Sequence, residues 1–363
     1  MNMFKNAATK TLLSLTLATG LFLSNNISGS VAEASVGKIS YKIDDPNTKT
    51  LEKIDAEYSD MSGKTVILTT NDVHGAIDGY PYVASLKNYF TEKKADKVIL
   101  IDSGDFSQTK TENTQYITTS NGLAIDCMNV AGYDYAGLGN HEAMSLGKLT
   151  KNYKDGEEKF KIINSNVLKK TDENDYKPMF TPNCTETIGD TTIGFFGIVT
   201  RDGFPKRSND YKLDDPMSAC AQKQCDKLRN DDKADVVICI AHLGLEDAFM
   251  ENKAEGKEGE RSVDLFNNVD GIDLILDAHS HSVITPSEGR EQILSTGTEF
   301  DNIGVVIIDN NAGDNNKKIT DTFLIEDDEF EKLEPDSATA AEVQKIKDAY
   351  EVSKSSSGKK HGH

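Results

Sequence analysis

Val66-Ile67-Leu68-Thr69-Thr70-Asn71-Asp72-Val73-His74-Gly75 opens the stretch that decides the fold. It continues through Val98-Ile99-Leu100-Ile101-Asp102-Ser103-Gly104-Asp105 and closes on Tyr135 to Leu138, then Gly139-Asn140-His141-Glu142. Three times a short apolar run, of the kind a buried strand makes, empties into a carboxylate, carboxamide or imidazole. The runs recur roughly every 30 to 35 residues, enough for a strand, a crossover helix and the next strand. That spacing predicts parallel strands whose polar ends line up along one sheet edge, where sites form in open α/β sheets. Asp, His, Asp, Asn and His meeting there make a metal-ligand set rather than a core.

Further along, Val236-Val237-Ile238-Cys239-Ile240 ends in Ala241-His242-Leu243-Gly244, and Leu274-Ile275-Leu276 ends in Asp277-Ala278-His279-Ser280-His281. Of seven histidines, His361 and His363 lie in a Ser/Gly/Lys-rich tail, and the other five all follow strand-like runs directly. One histidine at a strand end is ordinarily a hydrogen-bonded structural residue. Five of five, with two aspartates and an asparagine in equivalent places, reverse that reading. Imidazoles and carboxylates together suit borderline divalent cations such as Mn, Zn, Fe or Co. About seven ligands are too many for one tetrahedral ion and suit two ions sharing a carboxylate, with a water held between them as hydroxide. In-line attack of that hydroxide on phosphorus, with the metals neutralising the equatorial oxygens, requires no covalent enzyme intermediate.

Composition narrows the substrate. The net charge is −20; the first 34 residues carry Lys5, Lys10 and Glu33, net +1, which leaves −21 on the remainder. Nucleic acid polymers and anionic lipid need Lys/Arg neutralisation and are poor partners for such a surface. A small phosphorylated substrate then needs a local cation source, and bound metal supplies one. Five cysteines are few for a disulfide framework and odd in number, and no zinc-finger spacing is present. Cys239 reads as a buried small residue, and no Cys220–Cys225 bridge is predicted.

Residues 1–34 have the form of a signal peptide: Lys5 and Lys10, the apolar run Leu12 to Leu23, and Ala32-Glu33-Ala34 as cleavage site. The expectation is a secreted protein, extracellular or at the cell surface, with no membrane span after cleavage. Residues 35–62 read as a polar arm, 63–330 as the catalytic domain, 331–352 as a linker-like helix after Pro335 and 353–363 as a disordered tail. Strand-like runs are Lys161 to Asn164, Thr192 to Val199, Val236 to Ala241, Leu274 to Asp277, Gln292 to Ser295, Ile303 to Asp309 and Ile319 to Leu324; Pro216 to Leu228 has helical spacing. The last four runs are so close together that they predict an antiparallel meander. Asp309 to Asn316 predicts a turn. The acidic run Glu326 to Glu329 lacks the spacing and glycine of a calcium loop.

Asp-x-His, Gly-Asp, Gly-Asn-His-Glu, a lone His and His-x-His, in that order over residues 65 to 325, resemble the calcineurin-like metallophosphoesterases. Asn71-Asp72-Val73-His74-Gly75 and Asn164-Ser165-Asn166-Val167 are most similar to the 5′-nucleotidase and UDP-sugar hydrolase branch. The resemblance implies an α/β fold, a four-layer αββα sandwich of two mixed sheets with helices outside. It implies two divalent metal ions: one on Asp72, His74 and His281, the other on Asn140, His242 and His279, with Asp105 bridging. His141 and Asn140 become catalytic, His141 facing the phosphate to stabilise the transition state or protonate the leaving oxygen.

Three departures from that pattern matter. Ala143-Met144 stands where the branch has an aromatic residue and an aspartate that orients the histidine, which weakens general-acid assistance by His141. Ala278 replaces a usual glycine. No second, base-stacking domain follows the helix near Asp336 to Tyr350, so nucleotide specificity is not carried over. The leading expectation is an exported dinuclear-metal phosphohydrolase acting on nucleotides or nucleotide sugars. The alternatives are a phosphodiesterase without nucleobase preference and a catalytically weakened metal-binding surface protein. A structural zinc role fails because no cysteine lies in any motif. Glu142, Asp102 and Asp277 read as hydrogen-bonding supports rather than ligands, and Arg201 or Arg207 as a phosphate clamp.

Overall fold

A computed structural model describes residues 46–357, apart from 108–120, 155, 206–207, 246–260, 289–290 and 314–316. The signal peptide, the start of the arm, Arg207 and the tail histidines lie outside the described residues. The remainder of the expected arm is partly helical: α1 (Leu51–Glu57) is capped by Thr50, whose hydroxyl accepts from Lys53 N at 3.2 Å. Its Ile54 and the following Met61 are fully buried. A few inward apolar side chains suffice to fold a polar segment onto an existing core.

The parallel half follows as β1 (Lys64–Thr70), α2 (Tyr80–Glu92), β2 (Lys97–Asp102), α3 (Gly122–Ala131), β3 (Tyr135–Ala136), α4 (Asn140–Ala143), α5 (Leu146–Asn152) and β4 (Lys161–Ile162). As the spacing predicts, β1, β2, β3 and β4 are parallel neighbours. Next come β5 (Val167–Asp172), β6 (Asp175–Pro178), β7 (Asn183–Ile188), β8 (Thr191–Val199) and β9 (Tyr211–Leu213). Helix α6 (Met217–Asp226), running into a π-helical turn Lys227–Asp231, precedes β10 (Val236–His242), α7 (Ser262–Asn268) and β11 (Leu274–Leu276). The chain then forms β12 (Val283–Ile284), β13 (Ile293–Thr296), β14 (Asn302–Asp309), β15 (Ile319–Glu326), α8 (Asp327–Phe330) and α9 (Ser337–Ser357).

Two six-stranded sheets result, in orders β15-β14-β1-β2-β3-β4 and β12-β13-β11-β10-β8-β7, with β6-β5-β9 as a small third sheet. The two-residue period of a strand sorts the side chains into layers. On β1, Val66 and Leu68 join Leu86 and Phe90 of α2, while Ile67 turns to the other face and meets Ile238 and Leu276. On β10, Val237 and Cys239 pack with Leu228 and Leu265 on the helical side, while Val236, Ile238 and Ile240 fill the space between the sheets. Each fully buried Ile or Leu contributes about 1.5–3 kcal/mol, so the inter-sheet layer is a principal source of stability. This is the expected αββα sandwich.

The antiparallel meander is not observed. β11 and β13 are parallel, because residues 277–292 give the chain room to return to the same edge. The chain then leaves that sheet: β14 pairs antiparallel with β1 and β15. The crossing uses Gly297, Glu299 and Phe300, all with positive φ. Only β14–β15 forms the predicted hairpin. The terminal helix starts as expected, Asp336 Oδ1 accepting from Thr339 N at 2.8 Å, and packs on α2 and α3. It runs on through Ser353–Ser357, which the sequence assigns to the tail. All five cysteines are free thiols. No helix among the described residues is long and apolar enough to cross a membrane.

Candidate metal centre

The carboxyl ends of β1, β2, β3, β10 and β11, drawn from both large sheets, deliver the candidate residues to one place. Three overlapping clusters of donor atoms, each within 4.8 Å of one another, form there: Asp72, His74 and His281; His74, Asp105 and His141; and Asp105, His242 and His279. His242 Nε2 lies 3.2 Å from Asp105 Oδ2. The side-chain oxygen of Asn140 is 3.1 Å from His242 Nε2 and 3.0 Å from His279 Nδ1. His74 Nε2 and His281 Nε2 approach to 3.0 Å. All seven expected ligands and His141 are thus brought together.

The backbone records the same convergence. Among the described residues nine non-glycine positions have positive φ, and five of them are Asp72, His74, Asp105, His279 and His281. Each such residue costs on the order of 1–3 kcal/mol, tolerated only where the surroundings over-determine it. Gly139 is fixed by contact instead: a Cβ there would lie 1.9 Å from Asp105 Oδ1.

Supporting groups hold the ligands. Glu142, fully buried, accepts from Asp105 N at 2.9 Å, Gly139 N at 2.9 Å, Ser107 N at 3.0 Å and the Ser107 hydroxyl. His242 Nδ1 donates to Ser103 O at 3.0 Å, which leaves Nε2 as its ligating atom. Asp102 accepts from Thr70 Oγ1 at 2.6 Å and Gly104 N at 2.8 Å, and Asp277 from Leu243 N and Gly244 N, both at 3.3 Å. All three carboxylates are supports, as expected. The missed residue is Asp202, whose Oδ2 lies 3.1 Å from His279 Nε2. Nothing in its neighbours Arg201 and Gly203 marks it out as a site residue. Arg201, the expected clamp, forks onto Asp215. A cleft of about 810 Å³ between Gly75, Phe300 and α9 lies beside this centre and is lined by none of the candidate ligands.

Whether these residues fit metal is answered by their electrostatics. Asp72 Oδ1 and His74 Nδ1 are buried with no hydrogen-bond partner, two of nine such side-chain atoms among the described residues and the two that belong to candidate ligands. Burial, offset in part by His242 and reinforced by Asp105, pushes Asp72 up to about 7. Burial alone would lower His242, yet Asp105 and Asp72 raise it to about 10. Asp105 is held well below the usual carboxylate range by His242, His141 and His74, against the cost of burial. Burial lowers His74 to about 4 and also lowers His281, so both rings are neutral with lone pairs available. The cavity demands positive charge beside Asp105 and offers neutral imidazoles around it. Divalent metal satisfies both conditions, and the donor set fits.

A sequence profile of the calcineurin-like phosphoesterases matches residues 65–283, and the chain belongs to that family. It is 29% identical over 252 residues to the 2′,3′-cyclic-nucleotide 2′-phosphodiesterase/3′-nucleotidase of Haemophilus influenzae, across 61% of this chain and 37% of that one. It is 25% identical over 245 residues to the 5′-nucleotidase of Mus musculus, across 60% of this chain and 38% of the relative. The chain therefore spans under two fifths of the length of either relative. The crystal structure of the calcineurin-like phosphoesterase YfkN from Bacillus subtilis superposes with a TM-score of 0.57 at 21% identity, covering 78% of this chain and 96% of that one.

Proposed function

We propose that this protein is an exported, dinuclear-metal phosphohydrolase of nucleotides or nucleotide sugars. The observation that carries the reading is the chain of three overlapping donor clusters, the first two joined by His74 and the last two by Asp105, with Asp72 Oδ1 left without a hydrogen bond. In this reading Asp72, His74 and His281 hold one ion, Asn140, His242 and His279 the other, and Asp105 both. When bound, the ions supply Lewis-acid neutralisation of phosphate charge and activation of the attacking water.

The chain's own residues supply the rest. Glu142 and Gly139 hold Asp105 and the Asn140–His141 turn in register through buried N–H bonds. His141, partly exposed, is positioned by its backbone N–H on Asp105 Oδ1 at 2.8 Å, and its ring stabilises the phosphate or protonates the leaving oxygen. Export rests on the N-terminal Lys5/Lys10, apolar and Ala-x-Ala pattern, and sequencing the N-terminus of secreted protein checks cleavage after Ala34.

Met144 favours a second reading, phosphodiester hydrolysis without nucleobase preference. It is 44% exposed where a carboxylate partner for His141 is expected, so leaving groups that need little protonation suffer least. Both readings are tested by hydrolysis of a chromogenic phosphodiester, AMP and a UDP-sugar with Mn²⁺ or with EDTA, in wild type and Asp105→Asn. Metal-dependent turnover lost in the variant is expected, and the substrate ratio ranks the two readings. Absence of turnover with any of several metals, despite two bound ions per chain, overturns the enzyme reading in favour of a metal-binding surface protein.

A further inference from the structure

Asp202 belongs to no motif, yet its carboxylate reaches the ring of His279 on the side away from the other donors. His279 meets Asn140 Oδ1 through Nδ1 at 3.0 Å and Asp202 Oδ2 through Nε2 at 3.1 Å. A neutral imidazole carries one proton and one lone pair. A carboxylate accepts that proton more strongly than a carboxamide oxygen does. In the neutral ring that a metal ligand must present, this geometry favours the proton on Nε2, toward Asp202, and the lone pair on Nδ1, toward Asn140.

The loop that carries Asp202 is itself fitted to this half of the centre. Thr200 N donates to His242 O at 2.9 Å, which joins the loop to another candidate ligand. Gly203, at φ +70, passes so close that a Cβ would lie 2.7 Å from Met144 Cγ and 3.0 Å from Asn140 O. Arg201, forked onto Asp215, ties the loop to the turn before α6. One four-residue segment, Thr200 to Gly203, thus touches Asn140, His242 and His279, the three residues that the proposed function assigns to a single ion, and none of these contacts reaches Asp72 or His281.

We propose that Asp202 is the positioning residue of this half-site: it fixes the His279 tautomer that ligates through Nδ1, and so sets the affinity for one of the two ions and not for the other. The inference rests on the two-ion reading. Carboxylates that accept the outer N–H of a ligating histidine raise its basicity and hold its ring in place, and their loss weakens metal binding by about 10- to 100-fold.

The test is calorimetric titration of metal-free full-length protein with Mn²⁺ or Zn²⁺, for wild type, Asp202→Ala and Asp202→Asn, with thermal melting of each metal-free form. Wild type binding two ions, with one affinity weakened about 10- to 100-fold in Asp202→Ala and the other unmoved, is the expected result. Asp202→Asn, which keeps an acceptor but no charge, falls between the two. Equal weakening of both sites, or none, overturns the role of Asp202. So does a lowered metal-free melting temperature with affinities intact, because that is what a purely structural contact gives. Wild type binding fewer than two ions overturns the two-ion reading itself, whatever the variants do.

Discussion

Glu142→Gln tests how the centre is held, with a cost that can be worked from the contacts. Glu142 Oε2 accepts from the backbone of Asp105 and Gly139, and Oε1 from the backbone and hydroxyl of Ser107. The glutamine amide presents one oxygen and one NH₂ group to these four donors. Its best orientation keeps the oxygen on Asp105 and Gly139 and turns NH₂ toward Ser107, whose hydroxyl can reverse to accept. The backbone N–H of Ser107, in a residue only 4% exposed, is then left without an acceptor. One buried donor is orphaned where it had a carboxylate acceptor, a cost of about 1–3 kcal/mol. Urea unfolding of the metal-free protein should show that loss at an unchanged m-value. Metal affinity should fall as well, because the Asp105 backbone is no longer pinned. A loss below about 1 kcal/mol with metal affinity intact would refute the assignment of Glu142 as the hub.

Two further outcomes follow from other residues. Met144→Asp places a carboxylate beside the His141 turn; turnover of AMP should rise relative to a chromogenic diester with a good leaving group, and an unchanged ratio discards Met144 as the cause of weak acid assistance. His242, raised to about 10, carries a proton in the metal-free protein at neutral pH, and metal must displace it. Apparent metal affinity should therefore rise about tenfold per pH unit between pH 7 and 9, with roughly one proton released per chain; equal calorimetric heats in buffers of different ionisation enthalpy at pH 8 would contradict this.

Much of the site was legible because its residues sit at strand ends. An apolar run followed at once by Asp72, Asp105, His242 or His279 places a polar group at a sheet edge whatever the details of packing. The parallel order of β1, β2 and β3 followed from spacing alone, since a crossover helix needs that length. The small sheet β5, β6 and β9 was not legible. Its strands are half exposed and rich in lysine, and are held by pairing rather than by an apolar pattern. The expected meander failed for a related reason. Closeness in sequence says which strands are neighbours along the chain, but not which sheet each one joins.

What the sequence determines by itself is the inventory: alternating apolar runs for a layered α/β core, and a donor set suited to divalent metal at their ends. What only the tertiary structure decides is the arrangement. It turns five candidate ligands into the left-handed backbone region, brings His281 within 3.0 Å of His74 from 207 residues away, and closes Asp202 onto His279. Ligand types are written locally, residue by residue. Their distances depend on two sheets packing face to face, and that packing is set by the inter-sheet side chains of both at once.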